Sequence, residues 1–305
     1  MSGTEAATQD YPTKLASPSD PVHTEPQPIN ETDNAIDTDI ISRSSNEARR
    51  RLNDIEVNTP GSRHVLQLLT HRALTIPSLT YASIPLDPLN LSLGFRDISY
   101  AELLNAINHC THYLSRVLPP ARERYEVVAY LGPKDIRYPI IACAFAKLEK
   151  RFLFISSGAT LAGQTHLVRE TGCKIFLYGG SFRTQVQIVV QDIPNVFVTR
   201  LPEVGDLLTD KKADNWEWNK SWEVVRHTPW MILHSSGTTG NPKPIEFTHQ
   251  MMCNLDAEAL MADAGHDSIC KHIPGRRWYS PLLTMHVSFC SFSNSFHSSF
   301  SNMAE

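Results

Sequence analysis

Several absences narrow the function of this sequence before any motif is read. Basic charge is not in excess: the formal net charge is -4 at pH 7, which gives no argument for nucleic acid as a partner. The longest apolar run, near Tyr138 to Ala146, falls short of the roughly 20 residues that a membrane-spanning helix needs. The first twenty residues are polar and proline-bearing rather than basic then apolar, so no secretory signal is read there. The six cysteines, Cys110, Cys143, Cys173, Cys253, Cys270 and Cys290, form no C-x-x-C pair. That spacing excludes a zinc site of the usual kind and the dense disulfide framework of a small secreted fold. They read as reduced and mostly structural. The histidines show neither metal spacing nor a credible triad, so no metal ligands are assigned. The last residues, Met303-Ala304-Glu305, are not a peroxisomal address. A cytoplasmic location with no membrane partner follows by default.

What is present is the composition of a globular protein, 41% hydrophobic and 20% charged over 305 residues, enough for one large core or two modest ones. Residues 1–48 hold nine acidic side chains against Lys14 and Arg43 and are rich in Pro, Ser and Thr. Too little apolar surface is available there to offset the entropy of ordering, so disorder is expected. From Arg63 the pattern changes. Val65, Leu68, Leu69, Arg72 and Ala73 keep helical spacing until Pro77. Ser99-Tyr100-Ala101-Glu102 is a capping box, followed by Leu103, Ile107, Cys110 and Leu114 on one helix face.

Val127 to Leu131, Phe152 to Ile155 and Lys174 to Tyr178 are unbroken apolar runs, each the mark of a strand buried on both sides. Ile188-Val189-Val190 and Val196-Phe197-Val198 read as shorter strands. Helices are expected between the longer strands: one capped by Asp135 and running through Lys147, and one from Ala162 to a glycine cap at Gly172. Asp135 and Lys147 read as a helix cap and a solvated helix end in preference to substrate contacts. The alternation predicts an α/β fold of doubly wound, mostly parallel sheets. Trp216, Trp218 and Trp222 sit in a polar connector and are expected to pack it onto the body. Met251, Leu255, Ala259 and Ala262 mark an amphipathic helix ending near Gly265, with Met251 and Met252 in the core.

The stretch from Trp230 to His249 organises the rest. A short apolar strand, Trp230 to Leu233, leads into ten residues with almost no apolar side chain, Ser235, Ser236, Gly237, Thr238, Thr239, Gly240, Asn241, Pro242, Lys243 and Pro244. A half-buried strand from Ile245 follows. Glycines let backbone N–H groups approach an anion, hydroxyls donate further hydrogen bonds, and a lysine adds a point charge. Together they make a phosphate cradle. The Walker spacing G-x-x-x-x-G-K-[ST] is not met, because Lys243 lies between two prolines. That disfavours a P-loop kinase or ATPase.

The ordered run Ser-Ser-Gly-Thr-Thr-Gly-x-Pro-Lys closely resembles the phosphate-binding signature of the adenylate-forming superfamily, which includes AMP-dependent synthetases and ligases. Tyr130 to Pro139, Lys147 and Glu170 to Lys174 are similar to the N-terminal subdomain of fungal nonribosomal-peptide-synthetase-like adenylation domains. The resemblance implies activation of a small carboxylic acid with ATP and Mg²⁺ to an acyl-adenylate and pyrophosphate. It gives Ser235, Ser236, Gly237, Thr238, Thr239 and Gly240 to the ATP phosphates and Lys243 to the catalytic loop or the departing pyrophosphate. His286, in Pro281-Leu282-Leu283-Thr284-Met285-His286, takes a place in the substrate pocket or reads as an ordinary half-buried histidine. A phosphopantetheine carrier is expected only in a full-length relative.

Other family parts are not in these 305 residues. The adenine-holding Tyr-Gly-x-Thr-Glu, the ribose-binding Thr-Gly-Asp and the lysine of a mobile C-terminal domain are missing. Residues 287–305 are Ser/Phe-rich without a helical or strand period. They read as translated intron, an out-of-frame end or a natural disordered tail. The expected division is therefore 1–48 disordered, 49–286 a partial AMP-binding domain with its phosphate loop at 234–244, and 287–305 a disordered tail. The expected function is weak ATP binding without complete catalysis. The alternative is a non-catalytic binding or scaffold protein that retains the half-domain.

Overall fold

The computed structural model describes residues 59–235, 241–254, 256–257, 260–261 and 264–266. Helix α1 (Val65–Thr75) comes first, then a two-stranded antiparallel hairpin of β1 (Thr80–Pro85) and β2 (Phe95–Ser99). Next are α2 (Tyr100–Val117), β3 (Val127–Leu131), α3 (Arg137–Lys147), β4 (Arg151–Phe154), α4 (Leu161–Glu170), β5 (Ile175–Tyr178), α5 (Arg183–Val190) and β6 (Phe197–Arg200). The described chain closes with two short helices, α6 (Val204–Leu207) and α7 (Trp222–Val225), then β7 (Pro229–Ser235), β8 (Lys243–Thr248) and α8 (His249–Cys253).

The capping box forms as the sequence predicts. The Glu102 amide donates to Ser99 Oγ at 3.2 Å, and the Ser99 amide donates to Glu102 Oε2 at 2.8 Å. Leu103, Ile107, Cys110 and Leu114 behind it are fully buried. Six strands make the main sheet in the order β6-β5-β3-β4-β7-β8, parallel except for β8 at the edge. Central β3 has no exposed residue, which is why its sequence is an apolar run rather than an alternation.

Alternate residues face two cores. Val128, Tyr130, Phe152, Phe154, Met231 and Leu233 pack with α1, α2 and α3 on one side. Val127, Ala129, Leu131, Leu153 and Ile232 pack on the other with Val168 of α4 and Val186 and Val189 of α5. Helices on both faces of a mostly parallel sheet are the doubly wound α/β architecture expected from the sequence.

Four local expectations need correction, and one element was not expected at all. Ile188-Val189-Val190 is the end of helix α5, not a strand: Val186 and Val189 are buried while Ile188 is 42% exposed, a spacing of three that only a helix produces. Lys147 is not solvated; its Nζ donates to Asn108 Oδ1 at 2.7 Å and to the Trp216 carbonyl at 3.2 Å, and burial lowers its pKa to about 8. Met251 is 42% exposed and only Met252 reaches the core; α8 stops at Cys253, and Leu255, Ala259 and Ala262 lie outside the described residues. Asp135 is not the N-cap of α3: that position is Ile136, which makes no side-chain cap bond, and Asp135 one residue earlier accepts the Arg137 amide at 3.0 Å and pairs with its guanidinium. The β1–β2 hairpin had no sequence assignment, because its strands are only part-buried.

Other expectations hold. Gly172 ends the α4 segment with φ +62, the left-handed cap glycine adopts without strain. The tryptophan connector does pack onto the body. Asn105 of α2 donates to the Thr209 and Lys211 carbonyls, Trp222 is buried, and Trp218 lies edge-on to His64 with centroids 4.4 Å apart.

His64 and His249 are both buried and neutral. His64 Nδ1 accepts the Gln67 amide at 3.0 Å, leaving Nε2–H for the Lys220 carbonyl at 3.1 Å. His249 stacks on Trp230 at 4.8 Å with the rings parallel within 1°. Burial, reinforced by mutual repulsion for His64 and by Lys220 for His249, lowers each pKa to about 3. Because the folded values lie below the unfolded histidine value, their contribution is full above about pH 6.5 and is lost as the pH falls toward 3. Each group then removes up to about 1.4 kcal/mol per pH unit. His249→Phe should keep the stack and flatten this dependence. Urea unfolding at pH 6.5 and pH 5.0 should show the wild type losing up to about 2 kcal/mol more than the variant. Equal losses would show that His249 is not held neutral by the fold.

Candidate functional site

Strand β7 enters the site from the core. Trp230 to Leu233 are buried, and the strand emerges at His234 and Ser235. Strand β8 returns beside it in antiparallel register, with Ser235 opposite Lys243, His234 opposite Pro244 and Leu233 opposite Ile245. The ladder therefore reaches further into the polar stretch than the sequence suggested. His234, Ser235, Lys243 and Pro244 belong to strands, and the connection is 236–242 rather than 234–244.

Of the residues expected to form the site, Ser235 and Lys243 are brought together as cross-strand partners at the mouth of the connection. Directly opposed residues share a face of the ladder. Lys243 is exposed and Ser235 half-buried. Ser236, Gly237, Thr238, Thr239, Gly240 and His286 lie outside the described residues.

The opposite wall comes from the turn between β4 and α4. Thr160 caps α4 by accepting the Gly163 amide at 3.1 Å on Oγ1. Gln164 behind it is wholly buried, donating through Nε2 to the Ser156 carbonyl at 2.8 Å and accepting from Gln185 Nε2 at 3.0 Å. The Ser156 amide donates to His234 Nε2 at 3.3 Å. At the return end of the connection Pro242 is buried. A Cβ on Gly163 would lie 3.1 Å from Pro242 Cδ, so glycine permits this close approach.

Sequence reasoning found the hydroxyl, glycine and lysine run but missed His234, Gln164, Gly163 and Ser156. The available signal was strand alternation, which puts His234 on the Ile232 face toward α4. Among the described residues no group of His, Cys, Asp and Glu could hold a metal ion. The described cysteines Cys110, Cys143, Cys173 and Cys253 are free and buried. Burial pushes the last three up to about 12, which makes them poor nucleophiles at neutral pH.

A strand that emerges at the C-terminal edge of a parallel sheet into a Gly/Thr/Ser connection, with a lysine across its mouth, suits anion binding. Residues 86–295 match the family of AMP-binding enzymes. The chain belongs to that family.

Its relatives include a carboxylic acid reductase of Neurospora crassa, 31% identical over 199 residues. Another is an isocyanide synthase–NRPS hybrid, crmA, of Aspergillus fumigatus, 29% identical over 204 residues. These alignments cover 64% and 66% of this chain but only 18% and 13% of the relatives, so the AMP-binding chain spans less than a fifth of either protein. Among solved structures, acetoacetyl-CoA synthetase from Streptomyces lividans superposes with a TM-score of 0.59 at 15% identity, over 78% of this chain and 37% of the synthetase. O-succinylbenzoate CoA synthetase from Bacillus subtilis, in complex with ATP and magnesium, gives 0.54 at 16% identity over 76% and 55%. At that identity the likeness is one of fold. Among the described residues no helix is long and apolar enough to cross a membrane.

Gly163→Val should test the packing of this AMP-binding fold beneath the site. The added side chain meets Pro242 and should destabilise the protein by about 1–3 kcal/mol. Hydrogen exchange should quicken at Ser235 and Lys243 before it does in β3. A variant as stable as the wild type would mean that Pro242 moves away freely.

Proposed function

We propose that residues 49–286 supply the phosphate-holding part of an AMP-forming, carboxylate-activating domain, flanked by separate segments 1–48 and 287–305. The observation that carries this reading is the pairing of Ser235 with Lys243 at the mouth of the connection, at the end of a strand buried between β4 and β8. Ser235 and Ser236, with Thr238 and Thr239, donate hydroxyl hydrogen bonds to the β- and γ-phosphates of ATP, and the amides of Gly237 and Gly240 complete the cradle. Lys243 adds a point charge that steadies the phosphates or the departing pyrophosphate. The exposed position of Lys243 and the backbone-rich connection fit a polyanion. Mg²⁺, when bound, would neutralise phosphate charge.

The supported reaction class is attack of a carboxylate oxygen on the α-phosphorus, forming the acyl–phosphate bond and breaking the bond to pyrophosphate. Two anions must meet, so the site has to neutralise and align charge. These 305 residues contain neither the Tyr-Gly-x-Thr-Glu nor the Thr-Gly-Asp motif. The chain by itself therefore binds ATP weakly and forms no appreciable acyl-adenylate. Its partners are ATP and a small carboxylic acid, in a cytoplasmic setting. The alternative, a non-catalytic scaffold, draws support from the two packed apolar cores.

Titration calorimetry with Mg·ATP should give a dissociation constant on the order of 0.1–1 mM. Lys243→Ala should weaken it about tenfold, the worth of one charge-assisted contact. Carboxylate-dependent ATP–pyrophosphate exchange should stay at background. Exchange that Lys243→Ala abolishes would show a complete enzyme, and no ATP binding at any concentration would favour the scaffold.

A further inference from the structure

We propose that His234 is a positioning residue for the phosphate connection: it ties the entry of that connection to the β4–α4 turn while touching no ligand itself. The proposal rests on reading residues 235–243 as a phosphate site. Three observations lead to it.

The Ser156 amide donates to His234 Nε2 at 3.3 Å, across 78 residues of sequence. Nε2 accepts only when the ring is neutral with its proton on Nδ1. Burial holds the His234 pKa below the ordinary histidine value, against the opposing pull of a hydrogen bond with the Ser235 backbone. The ring is therefore neutral at pH 7 and accepts from Ser156 of the turn, and His234 itself lies one residue before Ser235, the first residue of the site.

The turn it grips is itself immobilised. Gln164, wholly buried, donates to the carbonyls of Ser156 and Ala159 at 2.8 and 3.3 Å, and Ser156 Oγ accepts the Gly158 amide at 3.2 Å. Gln185 of α5 in turn donates to Gln164 Oε1. His234 thus transmits the position of helices α4 and α5 to the strand end.

The other end of the connection sits on the helix that follows this turn. Pro242 is buried and lies beside Gly163 in the first turn of α4. The two legs are thus seated on consecutive parts of one segment, one through a hydrogen bond to the β4–α4 turn and the other through packing on α4. A phosphate cradle needs its hydroxyls and amides fixed before the anion arrives, since a misplacement of about 1 Å is costly. His234 is the polar half of that fixation.

The test compares wild type, His234→Phe and His234→Gln in the full chain. Phenylalanine keeps a planar ring but offers no acceptor, whereas the Gln Oε1 reaches about as far as Nε2 and can accept the Ser156 amide. Hydrogen exchange without nucleotide reads the tie directly. In His234→Phe the Ser156 amide should exchange about tenfold faster, with β3 amides unchanged and with His234→Gln near wild type. Calorimetry with Mg·ATP should show His234→Phe binding about three- to tenfold more weakly and His234→Gln restoring most of the affinity.

Wild-type exchange at Ser156 in the phenylalanine variant would overturn the proposal, as would unaltered ATP affinity in a variant whose Ser156 amide is released. If no protein binds ATP, the phosphate reading fails. The exchange experiment then still decides whether His234 holds the two segments together.

Discussion

Everything at the site depends on the register of β7. The strand is inserted between β4 and β8, with Phe152 beside Met231 and Leu153 beside Ile232. Trp230 locks it from below: its indole N–H donates to the Ala142 carbonyl of α3 at 2.8 Å, and its ring stacks on His249. Side chains along a strand alternate, so a slip of one residue would turn Ile232 away from its core and His234 away from α4. The apolar residues that set the register lie several positions before the polar ones that use it. Burial of Trp230 to Leu233 therefore decides where Ser235 and Lys243 meet, although neither contributes much to the core.

Buried cations around the helical layer follow the same logic of position over strength. Arg63 makes a two-pronged pair with Asp256, Nε to Oδ2 and Nη2 to Oδ1 both at 2.8 Å, and the Gly61 amide adds a third bond at 2.8 Å. Arg72 donates to Tyr100 Oη at 2.8 Å and lies over the same ring. Lys150 pairs with Glu126 at 2.9 Å where β4 begins. Burying such charges is expensive, and the compensation comes only when each fork meets its partner squarely. These contacts join segments distant in sequence, residues 61–63 to Asp256 most of all. They specify which surfaces meet more than they add stability.

The parts legible in the sequence were those governed by burial along one element. Strands β3, β4, β5 and β7 announced themselves because a strand covered on both faces has no polar position to interrupt it. The capping box at Ser99 was legible because both its partners lie within four residues. Helix α5 was misread since three consecutive β-branched residues suit a strand locally, while the decisive spacing of Val186 and Val189 begins earlier. Lys147 looked solvated at the end of its helix, and nothing nearby in sequence tells that Asn108 and the Trp216 carbonyl close over it. At the site the motif named Ser235 and Lys243, but not that they are ladder partners. His234 was illegible, as Lys147 was, because its partner is remote in the chain; for His234 that partner is also a backbone group, which leaves no mark on residue type.

The seating of the two legs of the connection on the β4–α4 turn and the start of α4 bears on how this family fold divides its labour. The described anchors at the two ends of the connection, His234 on Ser156, Pro242 beside Gly163 and Ser235 opposite Lys243, all belong to the β4–α4 turn, α4, β7 or β8. Holding the base and ribose, and lowering the barrier to attack by a second anion, requires charge and hydrogen-bond donors on the far side of the nucleotide. On the proposed reading, phosphate orientation is thus an autonomous property of a sheet edge, and chemistry is not. The fold itself is stabilised by its two apolar faces, while the buried ion pairs fix which surfaces meet.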